Sequence, residues 1–120
     1  GAASVQLVES DAALVAQLHT LQQRLQATAM RVQRGDGVAA LKQAAPASLD
    51  LVLLDPPFDS DFFTPALQAA AQAVAADGFV YLEAPRAWAD EELAAWGLAV
   101  HRHLKAGAVH AHLLRRVASL

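Results

Sequence analysis

No cysteine occurs anywhere in the 120 residues. Its absence excludes disulfide frameworks and thiolate-based zinc sites, and it fits a reducing compartment. Basic charge is also scarce. Nine Lys and Arg stand against twelve Asp and Glu, giving a net charge of −3 and a pI near 5.9. No basic stripe announces nucleic-acid binding, so most contacts to phosphate would have to come from residues outside this set. Long apolar runs are missing too. The hydrophobic share of 55% owes much to alanine, and no window approaches the roughly 20 uninterrupted apolar residues of a membrane span. The first residues show no basic stretch followed by a pure apolar run, the pattern of a signal peptide. These exclusions leave a soluble, cytoplasmic α/β protein as the expectation, without a membrane partner and with residues 1–120 as a single domain.

What is present alternates between strand and helix signals. "SVQLVES" (Ser4 to Ser10) reads as a strand, and Ser10 or Asp11 can cap the helix after it. Leu14, Leu18, Leu21 and Leu25 then draw one apolar helical stripe. "AMRVQRGD" returns to strand, and "GVAALKQAA" is a short helix closed by Pro46. "LDLVLL" (Leu49 to Leu54) is a continuous apolar run, the mark of a strand covered on both faces. Thr64 and Pro65 suit the N-cap and first position of a helix running to Ala76, with Leu67, Ala70 and Val74 inward. Asp77–Gly78 is expected to break it before the strand "FVYLEAP". A short helix near Asp90 to Trp96 precedes two closing strands, "LAVHRHLK" and "VHAHLLRRV". The order β-α-β-α-β-α-β-α-β-β predicts a doubly wound, mostly parallel sheet with an antiparallel hairpin at one edge.

In open sheets of this kind ligands sit beyond the carboxyl ends of the strands. Glu9, Asp36 and Asp55 all fall at such ends. A carboxylate in the place of Glu9 can accept both hydroxyls of a ribose. Asp36, between two glycines that permit close approach, can accept from an adenine amino group. Strand-end acids also commonly do no more than cap the next helix. Asp55-Pro56-Pro57-Phe58 is more specific. The prolines fix φ and remove two N–H donors, leaving their carbonyls as acceptors. A carboxylate and a carbonyl together can hold both hydrogens of a planar exocyclic amine, and Phe58 can stack on the base that carries it. That is catalysis by positioning and electrostatics.

This tetrad, together with "GAASVQLVESD", "RGDGVAAL", "LVLLDPPF", "FVYLEAP" and "KAGAVHAHLLRR" in the same order, resembles the RsmD family over nearly the whole chain. That family methylates the guanine N2 amine of small-subunit ribosomal RNA. The resemblance implies a Rossmann-like class I methyltransferase fold that uses S-adenosyl-L-methionine. By position it implies that Glu9 binds the cofactor's ribose, and that Asp36 with the backbone of Gly37 and Val38 holds its adenine. It further implies that Asp55 and the Pro56 carbonyl grip the target amine next to the cofactor, with Pro57 stiffening the turn and Phe58 stacking on guanine. The family's first strand and glycine-rich turn have no counterpart here, and the family's basic N-terminal region is missing as well. The chain therefore reads as the C-terminal two-thirds of such an enzyme. In the family's strand order, 3-2-1-4-5-7-6, the absent strand is the central one. A gap between "VQLVE" and "LVLLD" is expected unless those strands pair directly or another chain fills it. Methyl transfer by these residues alone is expected to be weak or absent. The rival readings are a DNA adenine-N6 methyltransferase, since the tetrad grips either amine, and a catalytically silent remnant that binds or dimerises. A homodimer is a possible assembly.

Four of five histidines fall on the closing hairpin. With a turn at Ala106–Gly107, Lys105 pairs with Ala108, and His101, His103, His110 and His112 share one face. Amine methylation needs no metal, and none is expected. Glu83 ends its strand and can line the substrate side of the pocket or serve as a cap. Trp88 and Trp96 read as packing residues, Arg115 and Arg116 as a solvated end, and Asp59 and Asp61 as the start of the next helix.

Overall fold

The computed structural model describes residues 4–9, 11–26, 29–55 and 63–117. Its contacts divide the chain into two compact units, Gly1–Ala40 and Leu41–Leu120, and each is described by itself.

The first unit is a βαβ element. Strand β1 (Val5–Glu9) and strand β2 (Met30–Arg34) pair in parallel, from Val5↔Met30 to Glu9↔Arg34. Helix α1 (Ala12–Leu25) connects them. Of the two expected caps, Asp11 falls on described residues. Its carboxylate accepts from the N–H groups of Ala13 (2.8 Å) and Leu14 (3.2 Å), which the first turn otherwise leaves unpaired. The leucine stripe is not the buried face of α1. Val15 is its one buried residue, while Leu14, Leu21 and Leu25 are 45%, 47% and 66% exposed. Periodicity draws a stripe but does not say what covers it. Helix α2 (Gly37–Gln43) begins in this unit, capped by Asp36, and ends ahead of Pro46 as expected.

The second unit holds the larger core. Its strands are β3 (Leu49–Leu54), β4 (Val74–Ala84), β5 (Leu98–Ala106) and β6 (Val109–Arg116), in the spatial order β3-β4-β6-β5. β3 and β4 are parallel, and β6 runs antiparallel to both β4 and β5, so this sheet is mixed rather than mostly parallel. Helix α3 (Phe63–Ala73) packs on β3 and β4, and a short helix α4 (Asp90–Leu93) with a 3₁₀ turn (Ala94–Trp96) leads into β5. Leu67, Ala70, Val80, Leu82, Ala84, Leu93, Leu98 and Leu114 are wholly buried. Burial alternates along β3: Val52 and Leu54 are covered, whereas Leu51 and Leu53 are 53% and 67% exposed. A strand covered on both faces, expected from "LDLVLL", is thus covered on one. Among the described residues β1 pairs with β2 alone and β3 with β4 alone.

Two local expectations change. α3 ends at Ala73, and β4 starts at Val74 and runs straight through Asp77–Gly78. The ladder jumps there from Leu49↔Val74 to Leu51↔Phe79. A Cβ on Gly78 would stand 2.6 Å from the Asp50 carbonyl oxygen, so this glycine admits a neighbouring backbone rather than ending a helix. The closing hairpin turns at Gly107–Ala108, with Gly107 at φ 61°, where the first central residue of a type II′ turn needs it. Lys105 therefore pairs with His110, and His103 with His112. An irregularity between Val100 and Arg102 turns His101 away from the other histidines and against Phe79, ring centroids 5.4 Å apart.

Candidate active site

Asp55 follows the last residue of β3, at the carboxyl end of a strand that is apolar apart from Asp50. Pro56, Pro57 and Phe58, with Asp59 and Asp61, lie outside the described residues. On the adjacent strand Leu54 pairs with Leu82. One step further along the parallel ladder sets Asp55 beside Glu83. Tyr81 sits two residues before Glu83, on the same face of β4 by the period of the strand, and its hydroxyl donates to Glu83 Oε1 at 2.9 Å. That hydrogen bond, followed by burial and the negative charges of Glu83 and Asp55, raises the Tyr81 pKa above its ordinary value. The phenol thus stays protonated against Glu83 and acts as a fixed donor. Sequence reasoning left Glu83 undecided and did not reach Tyr81. The signal was available in "FVYLE", where alternation puts Phe79, Tyr81 and Glu83 on one side.

In the first unit, Glu9 and Asp36 stand at the carboxyl ends of β1 and β2. Both work locally as caps. Glu9 Oε1 accepts from the Asp11 N–H at 3.2 Å, and Asp36 Oδ1 accepts from the Val38 N–H at 2.9 Å. The Val38 N–H is therefore turned to Asp36. The second oxygen of each carboxylate has no hydrogen-bond partner among the described residues. A Cβ on Gly37 would meet nothing within 4 Å. Two free acceptor oxygens beside open backbone suit a ligand rich in hydroxyl and amino donors, as ribose and adenine are.

The segment after β4 is pinned from two sides. His112 is fully buried, and its Nε2 accepts from the Trp88 N–H at 3.0 Å while its Nδ1 faces the Leu82 carbonyl at 3.3 Å. Burial, chiefly, lowers its pKa, so it is held as the neutral imidazole that this acceptor role requires. Arg86 forks onto Glu92 (2.9 and 2.8 Å) and lies 4.0 Å over the Trp88 ring. The Arg86 hydrogen bond, helped by the Ala89 N–H, holds the Glu92 carboxyl at about 2. Trp88 packs against Phe63 and Trp96, in keeping with its reading as a packing residue. Arg116 donates to the Val74 carbonyl at 3.1 Å, so it ties the start of β4 in place rather than waving at a solvated end. No cluster of three or more metal-binding side chains occurs among the described residues, and no described helix is long and apolar enough to cross a membrane.

Each unit carries a parallel strand pair joined by a helix, and the second adds an antiparallel hairpin, as in a Rossmann-like α/β fold. Solved structures carry the same arrangement. A candidate methyltransferase from Escherichia coli, yhhF, superposes with a TM-score of 0.78 at 25% identity, over 98% of this chain and 65% of that one. A candidate methylase from Haemophilus influenzae gives 0.78 at 21% identity, over 98% and 74%. A conserved hypothetical protein from Streptococcus pyogenes gives 0.78 at 19%, over 95% and 72%. The chain thus spans about two-thirds to three-quarters of the length of these proteins. No curated protein sequence matches it. Residues 1–115 match the family described as conserved hypothetical protein 95, and the chain belongs to that family, the RsmD-like one its motifs resemble.

Proposed function

We propose that the chain is part of an S-adenosyl-L-methionine-dependent methyltransferase that modifies the exocyclic N2 amine of a guanine in small-subunit ribosomal RNA. The observation that carries this reading is Asp55 at the carboxyl end of β3, directly ahead of Pro56-Pro57-Phe58, in a member of a methylase-like family. When bound, the cofactor supplies an electrophilic methyl group on a sulfonium. Glu9 accepts from its ribose hydroxyls, and Asp36 with the backbone at Gly37 and Val38 borders its adenine. Asp55 and the Pro56 carbonyl each accept one hydrogen of the amine, Pro57 keeps the turn stiff, and Phe58 stacks on the base. As the amine is alkylated, the C–S bonding pair stays on sulfur as a thioether, and the proton that the amine gives up passes to Asp55 and on to water, so the carboxylate is regenerated. The RNA, free or in the small subunit, is the partner; a homodimer is a further assembly compatible with the reading, and the cytoplasm its place.

Labelled methyl transfer to naked small-subunit RNA, assembled subunits and duplex DNA tests this. Transfer to RNA guanine, weak in this chain alone and lost in Asp55→Ala, is the expected result. Transfer to DNA adenine instead would replace the substrate, and a folded chain with neither transfer nor cofactor binding would be a binding remnant. Calorimetry with the cofactor addresses the chain alone. Micromolar binding would overturn the expectation that these 120 residues are impaired.

A further inference from the structure

We infer that Glu83 reads the N1–H of the target base and so selects guanine over bases whose ring nitrogen at that place is an acceptor. The inference rests on the amine grip proposed for Asp55. Its own ground is the juxtaposition on the rim of β3 and β4: the Leu54↔Leu82 pairing brings Asp55 and Glu83 to neighbouring strand ends, about 4.8 Å apart along the hydrogen-bonding direction. The Tyr81 hydroxyl engages Glu83 Oε1 at 2.9 Å, and the other oxygen has no hydrogen-bond partner among the described residues.

The edges of the bases decide what such a pair can hold. Guanine presents its N2 amine and its N1–H side by side, two donors in a row. Two neighbouring carboxylates, both acceptor-only when ionised, match that row. Adenine presents its amine beside N1, an acceptor. A carboxylate facing that nitrogen meets a lone pair, and both groups lose their water without gaining a hydrogen bond. Tyr81 makes the reading directional. By donating to one oxygen of Glu83 it fixes the carboxylate and leaves the other oxygen as the acceptor turned to the base. Asp55 alone grips either amine, so the choice between them falls to its neighbour.

Fluorescence anisotropy of a short oligouridine carrying one test base, at fixed salt, measures this without any cofactor. The informative bases are guanine, 2-aminopurine (the same amine, but N1 an acceptor) and hypoxanthine (the same N1–H, but no amine). The unaltered chain is expected to bind the guanine strand at least ~10-fold more tightly than the 2-aminopurine strand. Glu83→Gln keeps an oxygen for Tyr81 and can turn its amide N–H to the base, so the gap should shrink to about 3-fold or less. Tyr81→Phe, which leaves Glu83 in place but unfixed, should narrow it partway. Equal binding of guanine and 2-aminopurine by the unaltered chain overturns the inference, as does a gap that survives Glu83→Gln. Hypoxanthine equal to guanine, with the 2-aminopurine gap intact, sinks the amine grip and leaves the role of Glu83 standing. Absence of binding to every strand overturns both.

Discussion

The two rims of acids stand on unequal foundations. The pair formed by Asp55 and Glu83 tops a sheet whose covered face contains wholly buried Val80, Leu82, Ala84 and Leu114, with Leu67 of α3 against it. Glu9 and Asp36 top a unit whose best-covered side chains, Val15 of α1 and Val32 of β2, are still 9% and 8% exposed. In the first pair Glu83 is held by the Tyr81 hydroxyl; each member of the second is tied to its own helix start. Precise placement of a reacting amine needs a rigid base, because small misplacements are costly in rate. A pair of acceptors for a ribose and an adenine tolerates a softer one. The side proposed to grip the amine is therefore the firmer half, and the comparison can be broken by mutation.

The largest effect is expected in the cores. Leu82→Ala removes a wholly buried side chain beside Glu83 and should lower stability by about 3 kcal/mol in urea unfolding. Leu21→Ala on the exposed stripe of α1 should change it by roughly 0.5 kcal/mol or less. Equal losses at the two positions would mean that the stripe is covered in solution, and the contrast between the units would collapse.

Two glycines sharpen the same contrast at smaller amplitude. Gly78→Ala drives a Cβ to 2.6 Å from the Asp50 carbonyl and should cost about 1–3 kcal/mol, as overpacking does. Gly37→Ala meets open space at the start of α2 and should be neutral or stabilising by roughly 0.4–1 kcal/mol through the unfolded chain. Thermal midpoints of the two variants check both signs. Gly78 also shows what a sequence withholds. "ADG" carries the local signal of a break, whereas the glycine answers to the backbone of β3, which lies more than twenty residues earlier. The hairpin register failed at the turn, which lies at Gly107–Ala108 instead of Ala106–Gly107, and the irregularity between Val100 and Arg102 then sets His101 apart from the other histidines. Features decided by neighbours in sequence were legible. Asp11 as cap, α2 ending before Pro46 and the strand "LDLVLL" leading to Asp55 all belong to that class. So do the strand-end positions of Glu9, Asp36 and Asp55. The Tyr81–Glu83 link required knowing which carboxylate lies across the ladder.

The smallest effect concerns pH and the loop behind the firmer rim. His112 accepts from the Trp88 N–H, which is possible only while Nε2 keeps its lone pair, and the proton then sits on Nδ1 facing Leu82. Burial, with the His103 and His110 rings nearby, places its folded pKa below the usual value of about 6.5. The unfolded chain therefore takes up the proton first. Stability from this group is complete above about pH 6.5 and is lost as pH falls through the folded value. Urea midpoints should thus decline from neutral pH toward acid. His112→Asn, unable to titrate, should flatten that slope at the cost of about 1 kcal/mol at neutral pH for the altered hydrogen bonds. His110, whose pKa is lowered by desolvation and by the charges of His103 and Lys105, leaves a residual slope in that variant. A slope unchanged by His112→Asn would assign the acid sensitivity to His110, and would detach the loop after β4 from any control by protonation.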